Sequence, residues 1–303
     1  MEDLIPRLRA FGTPNQPCTP EQLHTLAAEL GCEIDADLMA IYGDHDGTTD
    51  TWGEDDAKIA FRLVPVAEVV DMYHTLREGK FEFPTSDWRV FWTDDQSNYA
   101  AVYVEGPLRG KVCFVAHDSV EENYIPYFRT VRSFCAELVR VAALEGRWSK
   151  LSMDYPACAS VSPADEESDR GLALQYAAEC RMADEDERQE YLAGCVIQLI
   201  PYADGGLLLS LSQDENEHLR QRAGGLIQQR QREERATSAL PRLVELIRTG
   251  PHGRRSEARQ EISRLFFEVD RESLRRLGVE VRTVRKGIEY RASPDSAWER
   301  LER

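Results

Sequence analysis

The sequence is short of positive charge. It sets 37 Lys and Arg against 54 Asp and Glu, a formal net charge of -17. That balance argues against nucleic acid as a direct partner, because neutralising phosphates requires a basic surface. Its seven cysteines include no CxxC pair, so zinc and thioredoxin-like readings lack their spacing, and buried reduced thiols are the expectation. No stretch reaches the roughly 20 apolar residues that a membrane span needs. Met1-Glu2-Asp3 opens on acids, where a secretory signal has a basic region followed by an apolar one. A soluble, cytoplasmic protein without a membrane partner is expected. G-x-S-x-G, P-loop and HExxH motifs are all missing, and the Gly205-Gly206 and Gly224-Gly225 pairs lack the strand-then-helix setting of a phosphate loop. With no constellation of catalytic roles to assign, neither enzymatic activity nor a cofactor is expected.

What is present begins with size: 303 residues exceed the usual single domain, so two cores are expected. Residues Asp3 to Phe11 have the pattern of a short amphipathic helix. Thr19-Pro20-Glu21-Gln22 then supplies an N-cap, a proline at the first helical position and a capping-box glutamine. Leu23, Leu26, Ala27 and Leu30 form that helix's apolar stripe, and Gly31 ends it. Asp35 caps a second short helix through Ile41, which delivers the chain to the turn Asp44-His45-Asp46-Gly47.

Strand patterns occur at Ile59 to Val64, Arg89 to Trp92, Tyr99 to Val104 and Gly110 to Ala116. Helical spacing recurs from Val66 to Leu76 and from Thr130 to Leu144. Helices at both ends of a run of strands predict an α+β domain over 1–148. From Ser149 to Pro163, Ser, Pro, Ala and Asp dominate, which predicts a linker at 149–162. Residues 163–303 read as mainly α-helical, with starts at Pro163, Asp184, Asp214 and Ser238. Among repeat architectures the pattern comes nearest a degenerate HEAT-like stack. A hairpin around Lys286-Gly287 and a capped final helix to Leu301, with Trp298 folded onto the body, close the chain.

Chemistry-bearing side chains concentrate between Asp44 and Asp56. Asp44, Asp46, Asp50, Glu54, Asp55 and Asp56 invite a calcium-loop reading. It fails on spacing, because Gly47 is fourth from Asp44 where an EF-hand places glycine sixth. A solvated acidic loop and a binding loop for a basic protein remain. His45, between two aspartates, is placed to have its charged form favoured. Trp52 on this acidic loop has the flanking charge of a protein-binding hot spot. The contact candidates are therefore Asp44, Asp46, Trp52, Glu54, Asp55 and Asp56. Basic residues gather late, among them Arg254, Arg255, Arg275, Arg276, Arg282 and Lys286, and read either as an arginine-rich face that pairs with acids of the first domain or, the favoured reading, as a solvated face.

Thr19 to Gly31, the Tyr42 and His45-Asp46-Gly47 turn, and Phe61-Arg62-Leu63-Val64-Pro65-Val66-Ala67-Glu68-Val69 are succeeded in order by further matching segments. These are the tryptophan strand Arg89 to Trp92, the strands at Tyr99 and Gly110, and the helix opening at Val131-Arg132-Ser133-Phe134. In that order they resemble the SUKH superfamily over about Thr19 to Leu144. Glu33-Ile34-Asp35 and Val90-Phe91-Trp92 depart from the usual pattern. The resemblance implies an α+β domain with a small mixed sheet flanked by helices, whose cleft or concave face binds other proteins. Many bacterial members are immunity proteins that block toxins, often nucleases; fungal relatives are regulatory scaffolds in cell-wall signalling. The family shares no catalytic residues. A toxin domain, with a basic nuclease as one class, is the partner this implies. A scaffold with separate partners for its two domains is the alternative.

Overall fold

The structure, a computed structural model, describes residues 1–9, 13–49, 61–78, 88–93, 97–116, 124–144, 163–201, 204–265, 280–284, 287–291 and 299–301. The chain divides into two compact units, Met1–Ala223 and Gly224–Arg303. The expected linker at 149–162 lies outside the described residues.

In the first unit several helices begin where the sequence supplies caps. The expected helix over Asp3 to Phe11 is a single turn, α1 (Ile5–Leu8). Before α2 (Pro20–Leu30), the Gln22 N–H donates to the Thr19 hydroxyl and the Thr19 N–H donates back to the Gln22 side chain, at 3.2 and 2.8 Å. This reciprocal pair satisfies two amides that the first turn would leave without partners. Asp35 caps α3 (Ala36–Tyr42) through the amides of Asp37 and Leu38. The two helices are bracketed by a short ladder, in which β1 (Thr13–Pro14) pairs antiparallel with β2 (Thr48–Thr49).

The main sheet runs in the order β3 (Arg62–Leu63), β4 (Trp88–Thr93), β5 (Asn98–Tyr103), β6 (Val112–Ala116), β7 (Pro126–Phe128). Every pairing is antiparallel, so the sheet is not the mixed one expected. Spatial order follows chain order and each strand reverses its neighbour, so none needs the parallel crossover of a mixed sheet. α4 (Val66–Glu78) connects β3 to β4, and α5 (Val131–Leu144) comes after β7.

Strand alternation divides the sheet's side chains between two faces. Ala100, Val102, Val112 and Phe114 belong to one core with Leu26 and Leu30 of α2, Leu38 and Ile41 of α3, Val69 of α4 and Phe134 of α5. A bulge between Val90 and Trp92 sends consecutive aromatics into it: Phe91 lies 6.4 Å from Tyr42 and Trp92 lies 4.7 Å from Phe134, between ring centroids. At the sheet's edge the buried Arg89 closes the C-terminus of α2. Its Nε and Nη2 donate to the Leu30 carbonyl at 3.2 and 2.9 Å, and its guanidinium lies 4.2 Å over the Tyr73 ring.

The opposite face presents Val90, Ala101, Tyr103, Cys113 and Val115, all buried. Against it pack α6 (Pro163–Met182) and α7 (Asp186–Leu199), where the Tyr103 and Tyr191 hydroxyls meet at 3.2 Å. Next, α8 (Gly205–Leu211) starts at Asp204, whose carboxylate accepts the Leu207 N–H and pairs with Arg170 at 2.7 Å.

Ser238 does not start a helix. It lies inside the 33-residue α9 (Glu217–Thr249), which continues through Pro241. The Ser238 hydroxyl donates back to the Arg235 carbonyl at 2.9 Å, a bond made within a continuing turn and not to a free amide ahead of it. α10 (His252–Leu265) comes next. The helices α6 to α10 have lengths of 20, 14, 7, 33 and 14 residues. The hairpin around Gly287 is present as β8 (Glu280–Val284) and β9 (Gly287–Arg291). Of the expected last helix only 299–301 are described, and they form β10 (Glu299–Leu301), which pairs antiparallel with the open edge of β9. Trp298 lies outside the described residues.

Candidate protein-binding site

The Asp44 to Gly47 turn is assembled from four separate stretches of chain. The Cys18 N–H donates to the Tyr42 carbonyl at 2.9 Å, and the Asp46 N–H donates to the Gln16 carbonyl at 3.2 Å. The Asn15 side chain donates to the Asp46 carbonyl at 2.7 Å, and the Asn15 N–H donates to Gly47 O at 3.1 Å. The Tyr42 hydroxyl donates to the Val64 carbonyl at 2.8 Å, which ties the end of α3 to the end of β3. The Asp46 carboxylate accepts the N–H of Val66, the first residue of α4, at 2.7 Å. Asp46 thereby supplies a helix cap from twenty residues upstream.

Gly47 fits under that junction because it has no side chain. Its φ is +72°, and a Cβ there would lie 2.6 Å from the Leu63 carbonyl oxygen. Both the left-handed conformation and the close backbone approach call for glycine.

Asp44 faces the other way. Its carboxylate accepts from the His45 Nδ1–H at 3.1 Å and lies 3.5 Å from the Arg9 Nε, with the side chain 27% exposed. His45 is buried, and burial pulls its pKa below the usual value despite the Asp44 hydrogen bond, which acts in the opposite sense. The sequence expectation of a favoured charged form is overturned, because desolvation outweighs the neighbouring carboxylates. The neutral ring donates from Nδ1 and orients Asp44. Burial also pushes the Cys18 thiol up to about 12, with the hydrogen bond to Asp46 acting in the same direction. That thiol is not a nucleophile at neutral pH.

The two described candidates thus have different settings. Asp46 is committed to the fold, while the half-buried Asp44 carboxylate is shared between His45 and Arg9. Trp52, Glu54, Asp55 and Asp56 lie outside the described residues. Sequence reasoning did not find Arg9, Asn15 and Gln16, since only the folded turn brings them to it. Among the described residues no cluster of three or more His, Cys, Asp or Glu is arranged to hold a metal ion, and no helix is long and apolar enough to cross a membrane.

Residues 17–137, which include the helix pair, the turn and the strand entering α4, match the family model described as SMI1 / KNR4 family (SUKH-1). Over this segment the chain is similar to the SUKH-1 family. SUKH domains are associated with immunity proteins in toxin systems and are generally non-catalytic. They act through contact with other proteins. A comparison with curated proteins returned no match.

Proposed function

We propose that this protein is an immunity-type protein whose SUKH domain binds a bacterial toxin domain and neutralises it by occlusion. The observation that carries the reading is the SUKH-1 match over residues 17–137 on an α+β fold of that kind. Net charge adds to it: at -17 the chain attracts a basic partner, such as a nuclease domain, and raises the rate of productive encounter. Asp44 and the neighbouring Trp52, Glu54, Asp55 and Asp56 are the proposed contacts, with Asp46 holding the turn from which that stretch departs. No chemistry is assigned to this chain; the mechanism is steric and electrostatic blockade of the toxin's working surface.

The test is co-purification with, and inhibition of, any toxin-like protein that the genes beside this one encode. Stoichiometric capture with loss of toxin activity is expected. A neighbouring toxin that is neither retained nor inhibited by the full chain removes the reading. The second reading, a scaffold with two partners, draws on the division into two compact units. It is favoured instead if the chain captures two proteins and inhibits neither.

A further inference from the structure

The 17–137 match ends before α6, which invites the view that the helices beyond it are a separate module. We propose that α6 and α7 are instead an integral layer of the SUKH domain in this chain, filling the second face of its sheet and closing that face to any other protein. This does not depend on the toxin reading, since it concerns only the chain's own layers.

Three observations at different points of the contact support it. The first is ionic. Lys111 immediately precedes β6 and Arg129 immediately succeeds β7, and both cations are largely buried, at 9% and 15% side-chain exposure. Between them stands Asp169 of α6, 6% exposed, which accepts from the Lys111 Nζ at 2.7 Å through one oxygen and from the Arg129 Nη2 through the other. Two like charges held out of water need a carboxylate between them, and here α6 supplies it.

The second is steric. Gly194 of α7 lies so close to the buried Ile125 that a Cβ would fall 2.5 Å from Ile125 Cδ1 and 3.0 Å from Cγ1. The helix backbone is therefore seated directly on the residue that leads into β7. The third is polar and buried: the Tyr103 hydroxyl of β5 donates to the Tyr124 carbonyl and meets the Tyr191 hydroxyl of α7 at 3.2 Å. Around these points the sheet face is apolar and water-excluded, with Val90, Ala101, Cys113 and Val115 at most 1% exposed. The compact unit accordingly runs to Ala223.

Hydrogen exchange on the full-length protein tests the proposal. In wild type under increasing sub-denaturing urea, amides of 98–116 and of 163–199 are expected to converge on one opening reaction. Separate opening of 163–199 with 98–116 still protected overturns the proposal. Asp169→Ala is expected to accelerate exchange in both segments together, by at least about a hundredfold, as when one partner of a buried pair is removed. Asp165→Ala, 58% exposed and 3.8 Å from Arg129, is expected to change little. The triple replacement Lys111→Met, Arg129→Met, Asp169→Leu is expected to restore joint protection. Acceleration confined to 163–199 in the Asp169→Ala protein overturns the assignment.

Discussion

The Asp46 carboxylate receives the backbone N–H of Val66 at 2.7 Å and so fixes where α4 begins. Asp46→Ala removes this cap and is expected to lower unfolding free energy by about 1–2 kcal/mol. Asp46→Asn keeps an acceptor and loses less. Urea denaturation of the three proteins measures the difference; equal stability of Asp46→Ala and wild type would remove the capping role.

Gly47 and Gly31 share a positive φ but not an environment. At Gly31 nothing lies within 4 Å of an added Cβ, whereas at Gly47 the Leu63 carbonyl lies at 2.6 Å. Gly31→Ala is expected to cost about 1 kcal/mol, the conformational term alone. Gly47→Ala adds a backbone clash and is expected to cost clearly more, with midpoints in urea giving the order.

His45 sets a pH dependence. Burial places its folded pKa below the ordinary value, taken as about 6.5 in the unfolded chain. Between those two values the unfolded state binds more protons, so stability rises with pH across the interval and falls on acidification through it. Thermal midpoints from about pH 7.5 down to 5.5 are expected to fall more steeply for wild type than for His45→Gln. Parallel slopes would show that another group governs this range. The lowered carboxyls of Asp204, which caps α8, and of Asp214, which pairs with Arg181, act in a separate window. Their stabilisation holds above the unfolded carboxyl pKa of about 3.9 and is lost only as pH drops further.

Arg89 places a planar fork on one carbonyl at the end of α2 and a cation over Tyr73. Arg89→Met is expected to cost about 2–3 kcal/mol by leaving the Leu30 carbonyl under-satisfied. Arg89→Lys is expected to recover only part, since an ammonium reproduces neither the fork nor the stacking. Full recovery by lysine in denaturant titrations would contradict the geometry.

At Asp44 the proposed binding role can be tested apart from stability. Its pair with Arg9 is solvent-screened, so Asp44→Asn is expected to shift stability by less than about 0.5 kcal/mol. If the proposed contact surface includes it, association with a basic toxin domain slows and becomes less salt-sensitive. Stopped-flow rates identical to wild type at low salt would exclude Asp44 from that surface.

Features whose partners lie within one turn could be read directly from the chain. The Thr19–Gln22 box, the stop at Gly31 and the Asp35 cap needed only local spacing, and the α+β order came from switching periodicity. What could not be read depends on groups brought from afar. Asp169 sits in the run Asp165-Glu166-Glu167-Ser168-Asp169, which looks solvated; its burial is decided by Lys111 and Arg129, 58 and 40 residues away. The Asp46 cap acts twenty residues downstream, and the ionisation tendency of His45 reversed because burial has no sequence signature at one histidine. β7 and β10, three residues each, are too short to show a period.

The division of labour within Asp44-His45-Asp46-Gly47 bears on how this protein can diversify. Positions 46 and 47 answer to the chain's own backbone, while position 44 pairs only with side chains, those of His45 and Arg9, among the contacts described above. A library randomised over 44–56 and screened only for soluble expression should therefore return Asp and Gly at 46 and 47 whatever the partner, while position 44 drifts. If the proposed function and contact surface hold, screening the same library for neutralisation should narrow position 44 without altering 46 or 47. On the proposed function, new specificities could then accumulate beside a fixed anchor without retraining the fold.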